Sequence, residues 1–374
     1  MSDAKFLFAD STRLVIKIGS ALLVDDSGVR DVWLATLAAD IAGLRRAGKD
    51  IILVSSGAVA LGRKRLGLGG ALKLEEKQAA AAAGQALLID AWQKALAPYD
   101  LVTAQLLLTQ DTTANRRSYL NARATLETLL GLGAIPIINE NDTVATSEIR
   151  YGDNDRLAAH AAQMADADVL VLLSDVDGLY TADPKQDTGA THIGVIEKIT
   201  PEILAHAGAA QTTGVGSGGM VTKLAAAKIA GHAGCATIIT LGDATGKDGP
   251  LTRLTQGAKS TLIRTSQSRH SARKNWIAGG LEPKGRLEID KGAAAALAKG
   301  ASLLPAGLVG VSGNFQRGDL VEIACDGNTI AQGIVACDNI EATKLIGAKS
   351  TEIEARLGYA RRAALVHRDD LVTG

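Results

Sequence analysis

Two lysines and one aspartate have the side chains and the sequence surroundings best suited to chemistry. Lys17 lies near the end of the apolar run LVIKI and is followed within two residues by Gly19. Lys223 follows the glycine-rich stretch GVGSGGMVT, and Asp155 ends the polar segment GDND. Two ammonium groups beside glycine-rich turns suit a phosphoryl group in transfer, because that catalysis rests on positioning and charge stabilisation. An aspartate between the lysines would hold both side chains in place.

These residues favour an acceptor that needs no general base. A carboxylate nucleophile is already ionised near neutral pH. The six histidines show no catalytic spacing, and His160 is interpreted as a structural residue on a helix face. The three cysteines match no metal-ligand spacing, so we predict no metal site formed by protein ligands alone.

The segment from Ile135 to Leu157 contains two polar groups. An apolar run, residues 135–138, precedes Asn139 to Asp142, and the GDND group follows about a dozen residues later, before a predicted helix. Loops after strands are where α/β proteins bind ligands. Amide groups can donate to a carboxylate and aspartates can accept from an ammonium group, so the segment suits a zwitterionic amino acid. Two ordinary surface turns are the alternative, because these residue types also form turns.

The glycine-rich stretch satisfies neither common nucleotide motif. Gly214, Gly216 and Gly219 fit G-x-G-x-x-G, but no strand precedes them, and Lys223 follows Thr222 rather than preceding it as in a Walker A motif. What remains is a backbone that can approach phosphates closely, with a lysine at a helix start. The alternative is a glycine-rich surface loop.

Strands and helices alternate over the first part of the chain. This predicts an α/β fold: a three-layer α/β/α sandwich with a mostly parallel sheet. Predicted strands cover residues 14–18, 50–54, 102–108, 135–138, 168–173 and 237–241, and predicted helices cover 32–47, 58–67, 75–96, 115–132, 156–165, 201–207 and 224–231. We expect the third helix to break or bend near Gly84. The Ser55-Ser56-Gly57 turn between a strand and a helix is either an anion site or a serine N-cap.

A second, smaller domain follows. We predict a catalytic domain over residues 1–265, a linker over 266–283 and a mostly β, barrel-like domain over 284–367. Its expected strands are 286–290, 308–312, 319–324, 329–336 and 363–366, with a helix at 293–299.

Composition narrows the classes of protein. The 374 residues include 40 Lys plus Arg and 40 Asp plus Glu, so charge indicates neither a nucleic acid nor a membrane surface as partner. No run of 18 apolar residues predicts a membrane span, and the first residues lack the pattern of a signal peptide. We therefore expect a cytoplasmic protein with reduced cysteines.

Six segments, in order, give the chain a family resemblance: VIKIGS, VSSGAVALG, PIINENDTVAT, IRYGDND, LLSDVDGLYTADP and GSGGMVTK. On these segments the chain resembles the amino acid kinase family, and within it the members that phosphorylate glutamate. The segments SLLPAGLVGVSGNFQRGD and VHRDD resemble the PUA domain appended to the bacterial enzymes.

The resemblance implies ATP-dependent phosphorylation of the γ-carboxylate of L-glutamate to L-glutamyl 5-phosphate, the first step of proline biosynthesis. It also implies feedback inhibition by proline at a site overlapping that of glutamate, and a homo-oligomer, either dimer or tetramer. The implied catalytic residues are Lys17, Lys223 and Asp155. Glutamate would bind Ser56, Asp142 and Asn154, with Asp142 accepting from its ammonium group. The implied ATP contacts are Lys17, Ser174, Asp175, Ser217, Gly218, Gly219, Met220, Val221, Thr222 and Lys223. Mg²⁺ would bridge the ATP phosphates. Arg150 and Ser174 stand where some members carry lysine and threonine.

Two other functions share some of these sequence features. Sister members that act on N-acetylglutamate or aspartate would share the fold and the lysines, but the INEND and GDND segments and the PUA-like tail argue against them. PUA domains also occur in RNA-modifying proteins. Residues 282–374 contain 11 Lys plus Arg and 12 Asp plus Glu, a formal net charge of −1, which argues against RNA binding.

Overall fold

The computed structural model describes residues 3–145, 154–184, 186–209, 219–243, 248–265, 282–361 and 363–373. The chain divides into two compact units, Met1–Ser268 and Arg269–Gly374. The division falls within the predicted linker, of which residues 266–281 lie outside the described part of the chain. None of the described helices is long and apolar enough to cross a membrane.

The first unit is built on one large sheet. In chain order its strands are β1 (Arg13–Ile18), β2 (Val24–Asp25), β3 (Gly28–Val29), β4 (Asp50–Ser55), β5 (Thr103–Leu108), β6 (Ile135–Glu140), β7 (Val169–Ser174), β8 (Leu179–Tyr180), β9 (His192–Ile193), β10 (Val195–Ile196), β11 (Ala236–Leu241) and β12 (Ser260–Ile263). Eight of these form the sheet, in the order β10-β12-β11-β7-β1-β4-β6-β5. Its neighbours pair in parallel except β11 and β12, which are antiparallel.

Helices cover both faces of this sheet. They are α1 (Asp3–Asp10), α2 (Ser20–Leu23), α3 (Asp31–Arg46), α4 (Ala58–Arg65), α5 (Leu74–Leu96), α6 (Gln110–Ala114), α7 (Arg116–Gly131), α8 (Asn154–Met164), α9 (Pro201–Ala209), α10 (Met220–His232) and α11 (Pro250–Thr255). One core lies between the sheet and α1, α3, α4, α5 and α11, and a second lies between the sheet and α7, α8, α9 and α10. The predicted three-layer α/β/α fold is confirmed.

The alternation of side chains along β1 determines which helix each residue meets. Leu14, Ile16 and Ile18 pack in the first core, whereas Val15 packs in the second, beside α8. Successive side chains of a strand point to opposite faces. Lys17 therefore shares the face of Val15, the face covered by α8 and α10.

The structure corrects the predicted ends of two elements beside the polar segments. Strand β6 continues through Asn139 and Glu140, both buried, because they pair with Leu107 and Leu108 of β5. Helix α8 begins at Asn154, two residues before its predicted start at residue 156. A pattern of apolar residues does not detect either end, because the residues there are polar. Asn139 thus belongs to the end of a strand, whereas Asp142 lies in the following turn.

Helix α5 does not break at Gly84, so the prediction of a break there was wrong. It runs unbroken over 23 residues and packs along α4. A Cβ atom added to Gly84 would lie 1.8 Å from the carbonyl oxygen of Ala58, and one added to Gly62 would lie 1.7 Å from that of Ala80. These glycines are therefore explained by the close approach of two backbones.

The second unit has a separate core and a five-stranded sheet. Its elements are β13 (Gly285–Ile289), β14 (Leu308–Gly313), β15 (Leu320–Cys325), β16 (Asn328–Val335), β17 (Val366–Thr373), α12 (Lys291–Ala298), α13 (Asn339–Lys344) and α14 (Ile353–Leu357). The strand order is β14-β13-β15-β16-β17, with only the β13–β15 pair parallel. The last strand was predicted at residues 363–366. It instead starts at Val366 and pairs with β16. The pattern of apolar residues missed it because the run His367 to Asp370 is polar.

Candidate active site

The candidate site lies at one edge of the large sheet. Strands β7, β1, β4 and β6 are neighbours in that order and run parallel. Their carboxyl ends therefore meet at the same edge, where open α/β sheets bind ligands. The residues that follow these ends, Gly19, Ser56, Asn141 and Asp175, come from four of the segments in which the sequence predicted ligand contacts.

Three charged side chains, from a strand of this sheet and from two helices on one of its faces, are in contact with one another. Lys17 Nζ lies 2.5 Å from Asp155 Oδ1, and Lys223 Nζ lies 3.3 Å from Asp155 Oδ2. The Asp155 side chain is 0% exposed, and those of Lys17 and Lys223 are 9% and 6% exposed. Lys17 comes from β1, Asp155 from the first turn of α8 and Lys223 from the first turn of α10. Helices α8 and α10 pack against each other, which brings the two turns together.

The electrostatics of the three groups keep Asp155 ionised. Burial alone would raise the pKa of its carboxyl group, but the nearby Lys17 and Lys223 ammonium groups and their hydrogen bonds outweigh it and lower the pKa below its usual value. Two ammonium groups around one carboxylate leave one unit of positive charge in excess. That surplus can stabilise an anion such as a phosphoryl group.

The start of α10 adds a hydroxyl group to this cluster. Thr222 Oγ1 lies 3.2 Å from Asp155 Oδ2 and 2.7 Å from the carbonyl oxygen of Gly219. Thr222 was predicted only as an ATP contact, and its approach to Asp155 has no sequence signal. Of the neighbouring predicted ATP contacts, Gly219 and Val221 are exposed and Met220 is half-buried. Ser217 and Gly218 lie outside the described residues.

A second polar group lies beside the first and consists of three amide side chains and the hydroxyl group of Ser56. Asn154 Nδ2 donates to Ser56 Oγ at 2.7 Å and to Asn139 Oδ1 at 3.0 Å. Asn139 Nδ2 in turn donates to Gln85 Oε1 on α5 at 2.8 Å. Ser56 and Asn154 were predicted to bind the substrate, and the structure brings them into contact. Gln85 was missed, although it is a polar residue in the alanine-rich run AAAAAGQALL.

The turn after β4 contains no serine N-cap, so that alternative was wrong. Helix α4 is capped by Gly57, whose φ of 112° suits glycine, and no side chain caps it. Ser55 is fully buried, donates to the carbonyl oxygen of Ser56 and accepts from Trp92 Nε1 at 3.0 Å. The Ser56 side chain is thus engaged by Asn154 rather than by the helix.

The other predicted contacts lie at the ends of β6 and β7. Asp142 is half-buried in the turn after β6. Ser174 is buried at the end of β7, and its Oγ donates to Oδ1 of the exposed Asp175 at 3.1 Å. Arg150 and the rest of residues 146–153 lie outside the described part of the chain.

The donor groups of this edge fit a metal ion that arrives with phosphates. No group of three or more His, Cys, Asp or Glu side chains suited to a metal occurs among the described residues. Asp155 is engaged by two lysines, whereas Asp175 offers an exposed carboxylate. Mg²⁺ usually binds through one or two carboxylates and substrate phosphates, keeping several waters, so this arrangement suits it.

The comparisons with known proteins agree with this architecture. The model of the "Amino acid kinase family" matches residues 12–240, and that of the "PUA domain" matches residues 285–357. A Caulobacter vibrioides protein named "Glutamate 5-kinase" is 54% identical over 99% of this chain and 98% of its own. Proteins with that name from Paramagnetospirillum magneticum and Rhizobium etli are 56% and 57% identical, over 97% and 96% of this chain and 98% and 92% of their own.

Proposed function

We propose that this chain, which belongs to the amino acid kinase family and ends in a PUA domain, transfers the γ-phosphoryl group of ATP to the γ-carboxylate of L-glutamate. The product would be L-glutamyl 5-phosphate, the first intermediate of proline biosynthesis. The buried contact of Asp155 with both Lys17 and Lys223 is the observation that supports phosphoryl transfer best. The name shared by the relatives supports glutamate as the acceptor.

The two lysines would act on the charge of the transferring group. Negative charge is distributed over the oxygens of the phosphoryl group in the transition state, and preorganised cations stabilise it there. Asp155 would keep the two ammonium groups apart and oriented, since its two oxygens contact one lysine each. Their burial reduces screening by water, which increases the effect of each charge.

The acceptor would bind at the turns after β4 and β6 and at the start of α8. Asp142 would accept from the ammonium group of glutamate, and Ser56 and Asn154 would contact its carboxylates. A glutamate side chain has a pKa of about 4.3 and is ionised at neutral pH, so it needs no general base. This agrees with the chemistry of the described cluster, which contains lysine, aspartate, threonine and no histidine.

ATP would lie at the ends of β7 and at the start of α10. Ser174, Asp175 and residues 217–223 are the proposed contacts, with Lys17 and Lys223 near the transferring phosphate. Mg²⁺ would be held mainly by the ATP phosphates and supply positive charge that offsets theirs.

The decisive assay measures ADP release in a coupled reaction with L-glutamate, N-acetylglutamate and L-aspartate as separate acceptors. We expect ADP release with L-glutamate and none with N-acetylglutamate or L-aspartate. Release with N-acetylglutamate or aspartate but not with glutamate would replace this proposal by a sister activity of the same family. The same assay with added L-proline tests feedback inhibition at a site that overlaps that of glutamate.

Two further parts of the proposal concern partners. We propose a homo-oligomer, either a dimer or a tetramer, which light scattering of the full chain would measure. The balanced charge of the second unit supports no RNA-binding role. Salt-dependent retention of RNA by the full chain would contradict this.

A further inference from the structure

We propose that Gln85 is a positioning residue for the acceptor site, acting through Asn139 and Asn154 on Ser56. The inference rests on the proposed function, since Ser56 and Asn154 are the proposed glutamate contacts. Four elements meet in this chain of side chains: α5 contributes Gln85, β6 Asn139, α8 Asn154 and the turn after β4 Ser56. Each is joined to the next by a hydrogen bond of 2.7–3.0 Å.

The direction of donation along this chain is determined by an acceptor-only group. Asn154 Nδ2 lies 3.4 Å from the backbone carbonyl oxygen of Ser55, which can only accept. Asn154 must therefore turn its N–H groups toward Ser55, Ser56 and Asn139. Asn139 then accepts with Oδ1 and donates with Nδ2, and Gln85 must offer its Oε1. An amide reversed at Gln85 or Asn139 would bring two N–H groups together.

This direction has a consequence for Ser56. Its Oγ accepts from Asn154, so the bond leaves the single hydroxyl proton of Ser56 free to donate. A carboxylate of the acceptor is a suitable partner for that proton. With the amides reversed, the side-chain oxygen of Asn154 would face Ser56 Oγ, and the Ser56 hydroxyl group would donate its proton to that oxygen. The Ser55 carbonyl group thus selects the state of Ser56 that can bind a carboxylate, and Gln85 supports that state by accepting from Asn139 Nδ2.

Packing and a hydrogen bond on either side of Gln85 hold the backbone of α5 in place. Gly84 precedes it and packs against α4, where an added Cβ atom would meet the carbonyl oxygen of Ala58 at 1.8 Å. Trp92, further along α5, is fully buried and donates to Ser55 Oγ at 3.0 Å. Helix α5 is therefore linked to the Ser55–Ser56 segment twice: directly by Trp92, and through Asn139 and Asn154 by Gln85.

The side chain of Gln85 offers a clean test. Its Nε2 is buried and has no hydrogen-bond partner among the described residues, so the bond from Asn139 is its only described hydrogen bond. Gln85→Met removes the acceptor at similar size, and Gln85→Glu retains an acceptor for Asn139. Gln93→Met is the matched control, since Gln93 is an exposed residue of the same helix.

We expect Gln85→Met to raise the KM for glutamate by about 5- to 100-fold, the effect of leaving one buried polar group unpaired. The KM for ATP and kcat should change by less than about threefold, because the phosphoryl-transfer cluster is untouched. Gln85→Glu should restore most of the glutamate affinity, and Gln93→Met should leave it unchanged. An unchanged KM for glutamate in Gln85→Met overturns the inference.

A double-mutant comparison separates positioning from a general loss of structure and does not depend on Gln85→Glu folding. If Gln85 acts through Asn139, then Gln85→Met should change the KM for glutamate by less than about twofold when Asn139→Ala is already present. The same factor in both backgrounds would show that Gln85 acts by another route and overturn the inference. If the wild-type chain shows no glutamate-dependent ADP release, the proposed function itself fails. In that case the thermal shift of the wild-type chain with glutamate, compared with Gln85→Met, still tests the binding role.

Discussion

Lys17 Nζ lies 2.5 Å from Oδ1 of the fully buried Asp155, although one residue belongs to the first strand of the sheet and the other to helix α8. A lysine in a buried strand is costly unless it has a charged partner. Asp155 supplies that partner, and its other oxygen contacts Lys223.

Replacing Lys223 by alanine should lower turnover far more than it weakens glutamate binding. We expect kcat to fall by about 10²- to 10³-fold, because a preorganised charge acts mainly in the transition state. Lys228→Ala, an exposed lysine of the same helix, is the control and should retain normal turnover. Steady-state kinetics with glutamate and ATP varied separately measure both constants. A change confined to KM would contradict the proposed role.

Replacing Asp155 by asparagine should destabilise the first unit in a pH-dependent way. It leaves two buried ammonium groups without their carboxylate, at a cost of about 3–5 kcal/mol near neutral pH. Because the pKa of Asp155 is lowered in the folded state, its stabilising effect is complete above the unfolded value of about 3.9 and is lost as pH falls through the lower folded value. Urea unfolding of both proteins from pH 6 to pH 3 should show the difference shrinking below about pH 4. A difference that stays constant to pH 3 would contradict this account.

Replacing Asp142 by alanine should impair glutamate binding and proline inhibition together. Loss of a charge-assisted hydrogen bond to an ammonium group should raise the KM for glutamate by about 10-fold or more. Asp90→Ala, on the exposed side of α5, is the matched control. Initial rates over ranges of glutamate and proline measure both effects. Normal proline sensitivity with lost glutamate affinity would show that the two ligands do not share Asp142.

Replacing Gly84 by alanine should destabilise the first unit, whereas Gly43→Ala should not. The new methyl group at Gly84 would meet the backbone of α4, so we expect a loss of about 1–3 kcal/mol or more. Gly43 lies in α3 with no atom near an added Cβ, and alanine there should stabilise by about 0.4–1 kcal/mol. Urea unfolding followed by the fluorescence of the buried Trp33 and Trp92 compares the two. Equal effects at both glycines would mean that the α4–α5 contact is looser than described.

A chain that ends at Thr265 should fold and keep measurable kinase activity. Among the described residues, the two cores of the first unit consist of side chains of that unit, and the core of the second unit consists of its own. Both lysines and Asp155 remain in the shortened chain. Circular dichroism establishes folding, and the coupled assay measures activity. A correctly folded but inactive chain would show that the second unit is needed for catalysis.

The sequence alone indicated much of the fold. Apolar runs separated by helical periodicity located most elements of the first unit, because side-chain periods of 2 and 3.6 are local properties. Six short segments indicated the family, which the comparisons confirm. Lys17 could be singled out because a charge within an apolar strand needs a partner, and Asp155 and Lys223 because they follow a polar turn and a glycine-rich turn that suit a ligand.

Only the tertiary structure decided which of these residues meet. The order of strands places the ends of β1, β4, β6 and β7 at one edge, and the packing of α8 on α10 brings Asp155 to Lys223. Gln85 had no local signal, because one polar residue in an alanine-rich helix is ordinary until Asn139 is found beside it. Gly84 suggested a break for the same reason, because its contact with the backbone of α4 has no local signal. Local periodicity follows from the chain itself, whereas contacts between distant segments depend on sheet order and helix packing, which short sequence patterns do not contain.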